Sequence, residues 1–105
     1  MMSRKILLVC GAGMSSGILA QKTRKIAKKQ GLNYSVKATS QNELPQYISS
    51  IDMVLVGPHF TNQFDKIKAL AKNNNVSAEL IPDDVYGMLD GESLVKIIKK
   101  SLEGE

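Results

Sequence analysis

Residues 10–17 read Cys-Gly-Ala-Gly-Met-Ser-Ser-Gly, an order of residue types suited to holding a dianion over a nucleophilic sulfur. Gly11 and Gly13 let the backbone curl and come close to a ligand. A curled run of main-chain N–H groups forms an anion-binding nest. A helix opening near Ser15 adds unsatisfied N–H donors and the positive end of its dipole. Ser15 or Ser16 can cap that helix or donate a hydroxyl to a bound phosphate. The same donors act on Cys10: a free thiol titrates near ~8.5, and helix N-termini bring thiols down to ~3.5–7.5. A thiolate so placed is a good nucleophile toward phosphorus. The bland alternative is a tight strand-to-helix turn with Cys10 as packing, and these eight residues alone leave both readings open.

Competing glycine motifs are tested by position. A dinucleotide fingerprint G-x-G-x-x-G counted from Gly11 and Gly13 needs glycine at residue 16, which is Ser16. No acid stands at Ala38-Thr39-Ser40 to hold a ribose. A Walker A loop needs a Gly-Lys pair, and the chain has none. A cysteine phosphatase or arsenate reductase is the stronger rival. Its Cys-x5-Arg loop would place at position 16 an arginine that grips two phosphate oxygens, and Ser16 stands there. The missing fork favours a relay, in which sulfur accepts phosphate and passes it on, over hydrolysis. A non-catalytic anion-binding regulatory module is the alternative from another class.

The elements that must position this loop follow from periodicity. Lys5–Val9 is a short apolar run, a buried central strand. A helix is expected from Ser15 to about Gln30, capped by Gly31. Asn33–Thr39 alternates, with Tyr34, Val36 and Ala38 on one side. Gln41–Ser49 is polar with a proline and reads as a loop around at most a short helix. Asp52–Val56 is a third strand, Thr61–Lys72 a helix broken by Asn73-Asn74-Asn75, and Val76–Ile81 a fourth strand. Asp83 and Asp84 are turn and helix-start residues, and Gly91–Leu102 is the closing helix. Alternation of strands and helices predicts an α/β fold: a single domain over residues 1–105 with a Rossmann-like four-stranded parallel sheet and helices on both faces. Periodicity leaves two strand orders open, of which the doubly wound 2-1-3-4 is the natural one. Ligands bind such sheets at the carboxyl ends of strands where the winding reverses. That places Cys10–Gly17 opposite Gly57-Pro58-His59-Phe60, with Pro58, His59, Asp83 and Tyr86 as candidate rim residues.

Composition sets the outer limits. The 105 residues are 43% hydrophobic and 23% charged, enough for a core without disulfides, and one cysteine permits no internal disulfide. With a single histidine, His59, no metal cluster is expected, and no cofactor either. Apolar runs of about five residues fall short of the ~20 needed to span a bilayer and of the ~7–15 of a signal peptide. The expected location is the cytoplasm, without membrane insertion. The net charge is +4, but Lys22, Arg24, Lys25, Lys28 and Lys29 fit the solvated face of a helix. No aromatic platform interleaves with them, so nucleic acid is not the expected partner.

Three segments in order resemble one family. Val9-Cys10-Gly-Ala-Gly-Met-Ser-Ser16, Val54-Leu-Val-Gly-Pro-His59 and Tyr86-Gly-Met-Leu-Asp-Gly91 are similar to those of lactose/cellobiose-type enzyme IIB. This is a component of the phosphoenolpyruvate-dependent sugar phosphotransferase system (PTS), and the likeness runs over essentially the whole chain. It implies a fold like that of low-molecular-weight tyrosine phosphatases. It implies further that Cys10 takes a phosphoryl group from a histidine of a IIA protein and gives it to a sugar held by a membrane IIC permease. The implied sugar is a β-linked disaccharide such as cellobiose, lactose or chitobiose, which the permease selects.

Overall fold

The computed structural model describes residues 3–9 and 14–104, with backbone alone at residues 14–16, 41 and 59–61. Strands β1 (Arg4–Val9), β2 (Tyr34–Thr39), β3 (Met53–Val56) and β4 (Ser77–Leu80) form one sheet in the order β2-β1-β3-β4. All three pairings are parallel, as the alternating pattern predicts. Helices α1 (Met14–Lys29), α2 (Leu44–Tyr47), α3 (Phe64–Asn73), α4 (Asp83–Gly87) and α5 (Gly91–Glu103) connect and close it. None of the described helices is long and apolar enough to cross a membrane.

Side-chain alternation along the central strands feeds two cores. Ile6, Leu8, Met53 and Leu55 point to the face covered by α1, α4 and α5, where Leu19, Ala27, Leu94, Val95 and Ile98 meet them. Leu7, Val9, Val54 and Val56 point the other way, onto Leu44, Ile48, Ile67 and Ala71. With both faces covered, β1 and β3 must be apolar at nearly every position, which is why they read as unbroken runs.

Three helices end in the same way. After α1, Leu32 N–H donates to Ala27 C=O (2.9 Å) and Gly31 N–H to Lys28 C=O (3.1 Å). This paired motif needs a residue in the left-handed region, and Gly31 supplies it with φ +76°. After α3, Val76 and Asn75 repeat the pattern onto Ala71 and Lys72, with Asn75 at φ +58°. After α4, Asp90 and Leu89 donate to Val85 and Tyr86, and the left-handed residue is Leu89 at φ +52°. Leucine pays a steric penalty there that glycine would not.

Two stretches differ in extent from the sequence expectation. Gln41–Ser49, expected as a loop around at most a short helix, does hold a short helix, α2, but 3-10 turns at Gln41–Glu43 and Ile48–Ser50 flank it, so the segment is helical throughout. Pro45 sits in the first turn of α2, where a missing N–H costs nothing, and Leu44 and Ile48 are buried four residues apart. Residues Pro58–Gln63 form a 3-10 helix, which delays α3 to Phe64. Asp83 and Asp84 open a helix, α4, one turn long, as their reading as helix-start residues expects.

Candidate active site

The carboxyl end of β1 lies where the topology asks for a site. Val9 is fully buried, stands level with Thr39 of β2 and Val56 of β3, and accepts a hydrogen bond from Gly57 N–H at 2.9 Å. The chain therefore leaves β1 between the ends of β2 and β3, and by Met14 it is already helical. Cys10, Gly11, Ala12 and Gly13 lie outside the described residues. Met14, Ser15, Ser16 and Gly17 form the first turn of α1, so the predicted loop-to-helix junction is where the sequence put it, one residue earlier than Ser15.

The N-terminus of α1 differs electrostatically from those of the other long helices. An α-helix leaves its first N–H groups without intrahelical partners and carries partial positive charge there. In α5 this end is met by the chain's own acids. Asp90 caps it, accepting from Ser93 N–H at 3.1 Å and Ser93 Oγ at 2.7 Å, and Glu92 lies in the first turn. The Ser93 hydroxyl, then its N–H, hold the Asp90 carboxyl below the ordinary aspartate range. In α3 the first turn contains Asp65. In α1 the first turn contains no acid, and the sixteen residues of the helix contain none at all. The longest of these helices thus brings no acid of its own to its positive end, which follows Cys10–Gly13 in the chain.

The candidate rim residues part company. Pro58 and Asp83 come together, lining with Leu80, Ile81 and Pro82 a hollow of about 250 Å³ at the carboxyl ends of β3 and β4. Asp83 is exposed at the start of α4. Tyr86 is half-buried and packs against the core on the α1 and α5 side, so its ring belongs to that core as well as to α4. His59 stands in the 3-10 helix directly after Pro58; its side chain lies outside the described atoms. The contrast between acid-bearing and acid-free helix starts was not used in reading the sequence, though its signal is plain: no Asp or Glu precedes Glu43.

Known proteins share this fold. Residues 5–97 match the family model for the lactose/cellobiose-specific IIB subunit of the PTS. The chain belongs to that family. The oligo-beta-mannoside-specific EIIB component of Bacillus subtilis is 32% identical over 89 residues, 85% of this chain and 86% of that protein. The solution structure of a cellobiose-specific IIB component from Borrelia burgdorferi superposes with a TM-score of 0.78 at 30% identity, covering 98% of this chain and 94% of that one. The lactose-specific IIB domain of Streptococcus pneumoniae gives a TM-score of 0.86 at 13% identity, over 95% and 98% of the two chains, a likeness of fold. The sheet order and the expected phosphatase-like IIB architecture are thereby established. IIB subunits are phosphotransferases working with IIA and IIC components, and this IIB chain is one of them.

Proposed function

We propose that this IIB subunit carries the phosphoryl group on Cys10. The reading rests on one observation: the acid-free N-terminus of α1 follows four residues after the buried end of β1, at the switch point between β1 and β3. In the first step the Cys10 thiolate attacks the phosphorus of a phosphohistidine on IIA, in line with the departing nitrogen. An S–P bond forms as the N–P bond breaks, and the freed imidazole keeps the electron pair. In the second step a sugar hydroxyl, held by the IIC permease, attacks the same phosphorus; S–P breaks, the hydroxyl proton leaves, and the thiolate returns. Both steps pass through a state with charge spread over three equatorial oxygens. Main-chain N–H groups of Gly11 to Gly17 would meet that charge, donors fixed in place before reaction.

The chain acts in the cytoplasm and reaches the membrane through IIC. Its sugar is a β-linked disaccharide or oligosaccharide of the cellobiose, lactose or chitobiose kind, chosen by the permease. Pro58, His59 and Asp83 border the site without carrying the group. A relay needs no general acid on the carrier, since an imidazole that holds a proton on its other ring nitrogen departs neutral.

Reconstituted sugar phosphorylation tests this reading. With phosphoenolpyruvate, the general transferases, IIA and IIC-containing membranes, Cys10→Ser should abolish product, while Asp83→Asn and His59→Asn retain activity within about three-fold, far short of the 10²–10⁴ that a lost general acid costs. A chromogenic phosphate ester separates the phosphatase reading, because sustained turnover by the isolated chain would contradict a carrier.

A further inference from the structure

Charge in this chain is divided along its length. Eight cations and no anion precede Glu43; six cations and ten anions follow from there on. The basic part comprises β2, β1 and α1, which are neighbours at one edge of the sheet, so the division in sequence is a division in space. Its centre is the outer face of α1. Lys22, Arg24, Lys25, Lys28 and Lys29 are all exposed and span an arc of about 160° at 3.6 residues per turn. Arg24 gives one guanidinium nitrogen to Val36 C=O at 2.6 Å; the four lysines keep compact ammonium heads on flexible stems.

This cationic face is interrupted by apolar groups. Ile18, on the same helical flank as Lys22, Lys25 and Lys29, is 45% exposed. Met88 is 77% exposed and lines, with Leu89 and Ile26, a groove of about 400 Å³ whose other walls include those three lysines. Ile18 and Met88 are the large apolar side chains left exposed among the described residues, and both border this face. Met88 is presented beside the left-handed Leu89, a backbone state that leucine adopts at a cost. The groove also contains Asp90 and Glu92, but Asp90 is engaged by Ser93.

We propose that the outer face of α1, with Met88 beside it, adsorbs to an anionic phospholipid surface. Several cations on one helix, accompanied by apolar side chains that enter the headgroup region, form a lipid-binding pattern. Among the described residues no exposed aromatic ring stands among these cations, so a base-stacking surface is missing from it. The cations occupy the half of α1 remote from Met14, so adsorption leaves the carboxyl end of the sheet open to partners. The proposal does not rest on phosphoryl transfer, and the two are tested apart.

The test is cosedimentation of the full unphosphorylated chain with vesicles of phosphatidylglycerol and phosphatidylcholine, against vesicles of phosphatidylcholine alone. Binding should be at least about ten-fold tighter on the anionic vesicles and weaken as salt is raised. The triple change Lys22→Gln, Lys25→Gln, Lys29→Gln should remove most of it. The same net change on the opposite face, Lys66→Gln, Lys68→Gln, Lys72→Gln on the exposed side of α3, should cost no more than about two-fold, since it acts only through net charge. Met88→Ser should lower binding without altering its salt dependence. Equal losses in the two triple variants, or no preference for anionic vesicles, would overturn the proposal. Binding to soluble polyglutamate with none to vesicles would overturn it in favour of an acidic protein partner. Cys10→Ser should bind vesicles like the parent, which separates this result from any failure of the transfer reading.

Discussion

Helices α1 and α5 lie side by side on one face of the sheet yet begin in opposite ways. The first turn of α5 is closed by the chain itself: Asp90 and Glu92 answer its dipole, and Gly91 presses against α1. A Cβ on Gly91 would lie 3.2 Å from the backbone of Lys22 and of Thr23 and 2.9 Å from Ile26 Cδ1. Thr23 can be buried there because its hydroxyl donates to Leu19 C=O at 2.7 Å. The first turn of α1 contains no acid, and Gly17 has open space around it. The start of α5 serves packing, whereas the start of α1 is left without an acid of its own; on the proposed reading, that is where an anion from outside is held.

The largest break in this comparison is expected from Gly13→Val, which crowds the nest ahead of α1. Transfer from phosphorylated IIA should fall by about a hundred-fold, the scale of losing an oxyanion donor, with the melting temperature little changed. Next comes Gly17→Asp, which gives α1 the first-turn acid that α5 already has. It should slow transfer by about ten-fold while raising helix stability, whereas Gly17→Ala raises stability and leaves transfer intact. Equal rates in the two variants would show that the dipole is not used.

Gly91→Val acts on the other helix start. Overpacking against the α1 backbone should cost about 1–3 kcal/mol in denaturant unfolding, with transfer at low temperature retained. The smallest effect concerns pH. The Asp90 carboxyl is lowered in the folded chain, so its cap contributes above the ordinary aspartate range and is lost as pH falls through the lowered folded value. Asp90→Asn should therefore flatten the acid limb of the stability curve while changing little at neutral pH.

How far the sequence could be read depended on the range of the forces involved. β1 and β3 were legible because burial on both faces leaves an unbroken apolar run, whereas alternation left two strand orders open and 2-1-3-4 was the natural doubly wound choice. The extent of helix in residues 41–50 is less legible, because Pro45 and the polar residues signal a loop around at most a short helix, whereas the fold uses the proline at a helix start and needs only Leu44 and Ile48 to anchor the turns. The sequence places Pro58 and Asp83 on one rim without showing that they meet, and it assigns Tyr86 to that rim without its second attachment to the core. Gly91 stood in a segment marked for its resemblance, but its reason is a distance to α1 that no local pattern contains. Cys10 itself is singled out by its neighbours, Gly11 to Gly17, together with its place after the first strand.

The most direct test of the phosphoryl-carrier claim is to phosphorylate the chain through IIA, digest it, and locate the phosphate by mass spectrometry. A single phosphoryl group on the peptide containing Cys10, absent from Cys10→Ser, is the expected result. Phosphate on His59 with Cys10 unmodified would contradict it.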